Sequence, residues 1–202
     1  KENCVCMLTL DQEYWNERHL SGDTPWDIKK TSPPLKAYID QLTDKNISIL
    51  IPGAGHFQDA DYFYVNGFQN ITICDISSVA VEKIKNNLRN KPEIKYINND
   101  FFKLTGQYDL ILEQTFFCAI NPGQWQKYAD KMLQLLSTNG KLVGVLFGKE
   151  FDQPGPPFGG NLTEYKTLFN SGLHILTMEM CYNSIPQRLG NELFFICKKS
   201  II

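Results

Sequence analysis

The stretch ILIPGAGHFQDA, residues 49–60, decides how the chain is read. A short, apolar, β-branched run is stopped by Pro52-Gly53, and a segment with helical spacing follows at once. A strand that turns through Gly53-Ala54-Gly55 into a helix is the opening unit of a parallel α/β sheet. Two glycines there bring the backbone close to something. Working outward, NISILIPG (46–53) is the first buried strand and HFQDADYFYVNG (56–67) a helix ended by Gly67. NITICDIS (70–77) is a second strand. SSVAVEKIKNNLRN (77–90) is an amphipathic helix with Val81, Ile84 and Leu88 on one face, capped by Ser77 or Ser78. EIKYINND (93–100) and YDLILEQ (108–114) read as strands, QWQKYADKMLQLLSTNGK (124–141) as a helix closed by Asn139-Gly140, and KLVGVLFG (141–148) as a fifth strand. NLTEYKTLFNSG (161–172) is a helix, and HILTMEMCY (174–182) and NELFFICKK (191–199) are two final strands. Their link is too short for a parallel crossover, so they should form an antiparallel pair at the sheet edge. The expected fold is α/β, a three-layer Rossmann-like sandwich around a mostly parallel seven-stranded sheet with an antiparallel last strand.

With 202 residues, 43% hydrophobic and 21% charged, the chain suits one soluble domain with a sizeable core. A net charge of −2 with no block of like charges argues against nucleic acid or an anionic membrane as partner. No apolar run approaches a membrane span, and KENCVCMLTLDQEYW lacks the pattern of a secretory leader, so a cytoplasmic monomer is expected. Cys4, Cys6, Cys74, Cys118, Cys181 and Cys197 mostly sit in apolar segments and read as reduced, small hydrophobes. Cys4-x-Cys6 lacks zinc spacing, and His19, His56 and His174 show none, so no metal site is expected.

Ligands of open parallel sheets bind beyond the carboxyl ends of the strands. The turn at Gly53–Gly55 lies at such an end, but Gln58 replaces the third glycine of the dinucleotide fingerprint, and no Gly-Lys-Ser/Thr follows. Asp75 ends the second strand, 20 residues after Gly55, where a carboxylate can accept from both ribose hydroxyls. Asp100 ends the third strand and Glu113 the fourth. Three carboxylates along one crevice edge repel a pyrophosphate and suit a ligand with a ribose, an adenine and a positive charge. S-adenosyl-L-methionine has these features and no phosphate.

At these residues the chain resembles the class I S-adenosylmethionine-dependent methyltransferases. More narrowly it resembles the thiopurine/thiol methyltransferase family, which includes plant thiol and halide methyltransferases and bacterial tellurite-resistance enzymes. The likeness is carried, in order, by YWNERHLSGDTPWD (14–27), SPPL (32–35), IPGAGHFQD (51–59), CDIS (74–77), YDLILEQTFFCAINPGQW (108–125), GPPF (155–158) and IPQRLGNE (185–192). The resemblance implies that Trp15, His19 and Trp26 close over the cofactor. Gly53, Ala54 and Gly55 would lie beside its methionine part, Asp75 and Ile76 at the ribose, Asp100 and Phe101 at the adenine, with Glu113 and Gln114 nearby. The product would be S-adenosyl-L-homocysteine. The chain departs from the family at His19, where many members carry tryptophan, at Gln114, where they carry Arg or Tyr, and at Phe57, where the general turn has glycine.

Methyl transfer from a sulfonium is an in-line displacement that asks for a soft nucleophile in a dry pocket. Trp26, Phe116, Phe117 and Phe158 are candidates for its walls. Arg188, with Glu192 to orient it, is the candidate cation that raises the thiolate fraction of a thiol whose ordinary pKa is ~8.5. Residues 1–45 would form an N-terminal arm or a lid that excludes water. The expected function is methylation of a thiol, hydrosulfide, halide or thiopurine-like compound. A cofactor-binding protein of the same fold without that activity, and a small-molecule O- or N-methyltransferase, stay open.

Overall fold

The computed structural model describes residues 9–199; Cys4, Cys6 and the first part of the expected arm lie outside the described residues. One sheet holds seven strands: β1 (Ile49–Pro52), β2 (Ile71–Asp75), β3 (Lys95–Asn98), β4 (Tyr108–Gln114), β5 (Leu136–Phe147), β6 (Leu173–Met180) and β7 (Glu192–Lys199). Their spatial order is β3-β2-β1-β4-β5-β7-β6. The first five pair in parallel, and β7 runs antiparallel to both β5 and β6. The closing pair is antiparallel and at the sheet edge, as expected. The chain folds back so that β7 lies inside the sheet and β6 takes the edge. Leu193, Phe195 and Cys197 of β7 are fully buried, whereas β6 exposes Leu176 and Met180, so the more apolar strand goes inside.

Both faces of the sheet are apolar, because strands covered on both sides must be. Ile49 and Ile51, Leu110 and Leu112, and Val143 face one layer, built with Leu35, Ile39, Phe63 and Ile84. Leu50, Ile111, Leu142 and Leu146 face the other, built with Tyr128, Met132, Tyr165 and Phe169. Helices α3 (Gln58–Val65) and α4 (Ser78–Asn87) therefore cover one face, and α5 (Trp125–Leu135) and α6 (Leu162–Phe169) the other. Ser77 caps α4 through its hydroxyl, which accepts from the Ala80 N–H.

Two segments differ from the sequence reading. The helix expected to run to residue 141 stops at Leu135; Leu136 already pairs with Tyr108, and residues 137–140 bulge before Lys141 pairs with Leu110. Gly140 marks that bulge rather than a helix end, since a Cβ there would stand 2.6 Å from the Tyr108 carbonyl oxygen. The arm is also more regular than expected. It contains α1 (Gln12–Ser21), capped by Asp11, and α2 (Pro33–Asp40), started by Pro33-Pro34. Helix α2 belongs to the core through Leu35, Tyr38 and Ile39. Helix α1 rests on α4, where Asn16 Oδ1 accepts from the Ser77 hydroxyl at 2.7 Å and the Val79 N–H at 3.3 Å.

Candidate active site

The strand order changes direction between β1 and β4, so the chain leaves a crevice where those two strands end. A cleft of about 940 Å³ opens there, large enough for a cofactor and an acceptor together. Gly53 and Gly55 after β1, Asp75 and Ile76 at the end of β2, and Asp100 and Phe101 after β3 line it on one side. Phe116 lines it after β4, and Arg188 comes from the loop before β7. Trp15, His19 and Trp26 reach it from the arm.

The glycine turn answers its own question. Gly53 and Gly55 have φ of 54° and 60°, a left-handed conformation that favours glycine. A Cβ on Gly53 would stand 2.0 Å from the Phe116 ring, and one on Gly55 2.8 Å from the Trp26 indole nitrogen. The backbone is thus brought against two aromatic walls of the cleft. The turn's amides are already engaged: Ala54 N–H donates to the Cys74 carbonyl, Gly55 N–H to Asp75 Oδ2 and His56 N–H to the Ala54 carbonyl. None of the three is free to hold a pyrophosphate, so the turn does not serve a dinucleotide.

Asp75 accepts from the Gly55 N–H at 2.9 Å and the Ser77 N–H at 2.8 Å, one on each carboxylate oxygen. Each oxygen keeps a second acceptor site for a ribose hydroxyl. Burial pushes its pKa up, and the Ser77 and Gly55 amides pull it back. Asp100 accepts from the Phe102 N–H, which fixes Phe101 edge-on against Phe116 at 5.0 Å. Over the turn, Trp26 meets Trp15 at 5.6 Å and His19 at 5.5 Å, both edge to face, and the Arg18 guanidinium lies 5.3 Å from the Trp26 ring. His19 is buried, and burial followed by the Lys83 ammonium lowers its pKa to about 4, so it is a neutral imidazole at pH 7. An acidic ledge beneath an aromatic roof, with no phosphate cradle, fits S-adenosylmethionine.

Five expected residues do not line the cleft. Glu113 is fully buried; its Oε1 accepts from the Phe116 and Phe117 N–H groups at 2.8 Å, and its Oε2 from the Tyr128 hydroxyl at 2.6 Å. It clamps the turn after β4 instead of meeting a ligand. Burial raises its pKa to about 7 against the pull of those three donors. Inside the clamp, Thr115 has φ 56°, a strained conformation for a β-branched residue, costing ~1–3 kcal/mol that the surrounding fold offsets. Gln114 is buried and ties the arm down, accepting from the Ser32 hydroxyl at 3.0 Å. Ala54 packs into the core. Phe117 is core as well, stacked on Trp125 at 4.7 Å, because the clamp turns it inward while Phe116 turns outward. Phe158 packs beneath Gly155, and its N–H donates to the Cys118 carbonyl.

Arg188 keeps its expected partner: Nη1 lies 3.4 Å from Glu192 Oε1, and the guanidinium also reaches the Trp26 carbonyl at 3.5 Å. It lies 5.7 Å from the Phe147 ring. The sequence reading missed Arg18, Thr115, Phe147, Lys149 and Phe151, all of which line the cleft. Phe147 ends β5 and Lys149 follows just beyond it, so the strand-end rule could have flagged them. Arg18 and Phe151 had no such signal.

The sequence model of the thiopurine S-methyltransferase family matches residues 10–193. The chain is 30% identical over 192 residues to the probable thiol methyltransferase 2 of Arabidopsis thaliana, covering 92% of this chain and 84% of that one. It is 27% identical over 190 residues to thiocyanate methyltransferase 1 of Brassica oleracea, covering 91% and 84%. In fold it is similar to the Burkholderia thailandensis 1,6-didemethyltoxoflavin-N1-methyltransferase, with a TM-score of 0.76 and 16% identity over 94% of this chain and 87% of the other. The N-methyltransferase NodS of Bradyrhizobium japonicum superposes with a TM-score of 0.70 and 15% identity, over 94% and 98%. Turn, ledge, roof and sequence agree: the chain belongs to the thiopurine S-methyltransferase family of S-adenosylmethionine-dependent methyltransferases.

Proposed function

We propose that this methyltransferase acts on a small, soft, anionic or easily ionised nucleophile, with a thiol, hydrosulfide or halide as acceptor. The observation that carries this reading is the division of charge along the cleft. Asp75 and Asp100 stand at the β2 and β3 ends, Arg188 and Lys149 at the β5 and β7 ends, and Phe116 lies in between. When bound, the cofactor supplies an electrophilic methyl group on a cationic sulfur. Asp75 holds the ribose side, Phe101 packs at the adenine side, and Trp15, His19 and Trp26 form the lid that keeps water out. Arg188 raises the thiolate fraction and stabilises negative charge before transfer. Among the described residues, the acceptor end carries no His–Asp pair to deprotonate an amine; His56 and Asp59, 3.9 Å apart, do not line the cleft. The names of the two plant relatives, thiol and thiocyanate methyltransferase, point to the same acceptor class.

The test is a competition at fixed cofactor between thiophenol, hydrosulfide, iodide, a catechol and a primary amine, read from the methylated product of each. The sulfur and halide acceptors should win. For thiols the rate should rise towards the thiol's own pKa, and for iodide it should be nearly flat with pH. Arg188→Ala should slow both. A clear win by the catechol or the amine removes the acceptor assignment and leaves the methyltransferase class.

A further inference from the structure

The third glycine of a dinucleotide turn lets helix and strand approach closely; here Gln58 stands in its place, as the first residue of α3. Its side chain leaves the helix and meets the segment that follows Trp26. Nε2 donates to Asp27 Oδ1 at 3.1 Å, and a carboxylate that only accepts fixes the amide in that orientation. The Gln58 carbonyl accepts from the Thr31 hydroxyl at 3.2 Å. The strap from Asp27 to Thr31 is thus tied at both ends to one residue, by its side chain at one end and its carbonyl at the other. Between the ties Lys29 has φ 61°, a left-handed conformation that is costly outside glycine. Asp27 holds it there, accepting from the Lys29 N–H at 2.9 Å and from its ammonium at 2.6 Å. Packing alone gives no reason for a glutamine here. Its Oε1 is buried and meets no donor among the described residues, a cost that an apolar side chain would avoid.

What the strap positions is Trp26, the residue before Asp27. A Cβ on Gly55 would stand 2.8 Å from the Trp26 indole nitrogen, so the ring rests on the turn just ahead of Gln58. The Trp26 carbonyl takes the Arg188 guanidinium at 3.5 Å. Trp26 is thus held on one side from the acceptor end and on the other from the helix that the glycine turn opens. We propose that Gln58 is a positioning residue for methyl transfer: by holding Asp27 it sets Trp26 over the turn and keeps the lid closed on the cofactor. This inference rests on the lid reading of Trp26 and holds for any acceptor. Gln58 acts through Trp26 and does not itself line the cleft.

The test compares Gln58→Ala and Gln58→Lys with wild type. Calorimetry reads the affinity for S-adenosylhomocysteine, kinetics with the winning acceptor of the competition above read KM for each substrate, and urea unfolding of the ligand-free protein reads stability. Gln58→Ala should raise the Kd about tenfold, the range for one hydrogen bond to a charged group, and the KM for S-adenosylmethionine with it. The KM of the acceptor should stay as it is. The urea midpoint should not fall, since the buried orphan Oε1 leaves with the side chain. Amide exchange of the bound protein should quicken over residues 24–31 and stay unchanged in the sheet. Gln58→Lys, which still offers a donor to the Asp27 carboxylate, should restore the affinity. Unchanged affinity in Gln58→Ala overturns the inference. So does a loss of affinity that comes with a lower midpoint and faster exchange throughout the sheet, which would make Gln58 a structural residue. Trp26→Ala separates the two readings. If it leaves the affinity unchanged, the lid reading falls and this inference with it; if it weakens binding and Gln58→Ala does not, the latch alone falls.

Discussion

At Asp75 the two carboxylate oxygens each take one backbone N–H, from Gly55 and Ser77, and the group still borders the cleft. Asp75→Ala should therefore weaken cofactor binding by ~1–3 kcal/mol, the scale for hydrogen bonds to a charged group, and part of that loss comes from a loosened glycine turn. Calorimetry with S-adenosylhomocysteine checks it; equal binding by wild type and variant would remove Asp75 from the site. Glu113 makes a different kind of prediction. Its folded pKa of about 7 lies above its ordinary value of 4.5. Its contribution to stability is therefore full below about 4.5 and is lost as pH rises through about 7, by up to about 3 kcal/mol. Protonated, it can donate to the Tyr128 oxygen while Oε1 keeps both amides, and a glutamine can do the same. Glu113→Gln should fold, hold the Thr115 turn, and remove this pH dependence from urea unfolding measured at acid and neutral pH. An unchanged pH dependence would refute the assignment. Glu113→Ala should destabilise strongly, leaving two buried amides without an acceptor.

Among the elements, α1 and the loop to Trp26 are held to the domain by polar contacts and edge-to-face rings, whereas α2 is held by core packing. The α1 segment should thus open at lower cost than α2. On adding S-adenosylhomocysteine, amide exchange should slow across residues 11–27 and change little in α2; no change in the first segment would leave it a packing arm. His19 adds a pH response. Its folded value of about 4 lies below the ordinary 6.5, so its contribution is present above 6.5 and lost as pH falls through about 4. The groups acting on it are Lys83, His56 and Arg18, which lower its pKa further, and Asp27, which raises it. Acid should charge the imidazole and loosen the roof, seen as a tryptophan fluorescence change centred near 4 that His19→Phe abolishes. The same transition in the variant would place the change elsewhere.

For the molecule as a whole, β7 is the strand that closes the sheet, paired on one side with β5 and on the other with β6. Cys197 sits in it with no exposure, and burial pushes its thiol up to about 12. Its reaction with an alkylating reagent should await global unfolding. A ligand that binds only the folded state then protects it by linkage: at ~100 Kd of S-adenosylhomocysteine, labelling should slow about 100-fold. Peptide-resolved mass spectrometry separates it from the other cysteines. Labelling insensitive to ligand would mean that the β7 edge opens independently of the cofactor site.

Local pattern was enough for the strands, the order of strand and helix, and the acidic residues at the strand ends. Buried parallel strands are apolar runs, and their carboxyl ends are where ligands sit whatever the family. TFFCAINPG and TPWD added the family. Tertiary structure decided which way neighbouring residues face. Phe116 and Phe117 are adjacent and identical in type, yet one lines the cleft and the other packs on Trp125, because Glu113 grips both their amides and forces Thr115 through a left-handed turn. Asp75 ends β2 and Glu113 is the last residue but one of β4, but only Glu113 has its carboxylate enclosed by three protein donors. The glycines of the opening turn proved to make room for Phe116 and Trp26, residues 63 and 29 positions away in sequence. Such contacts are set by how separate segments meet, and periodicity along one segment carries no record of them.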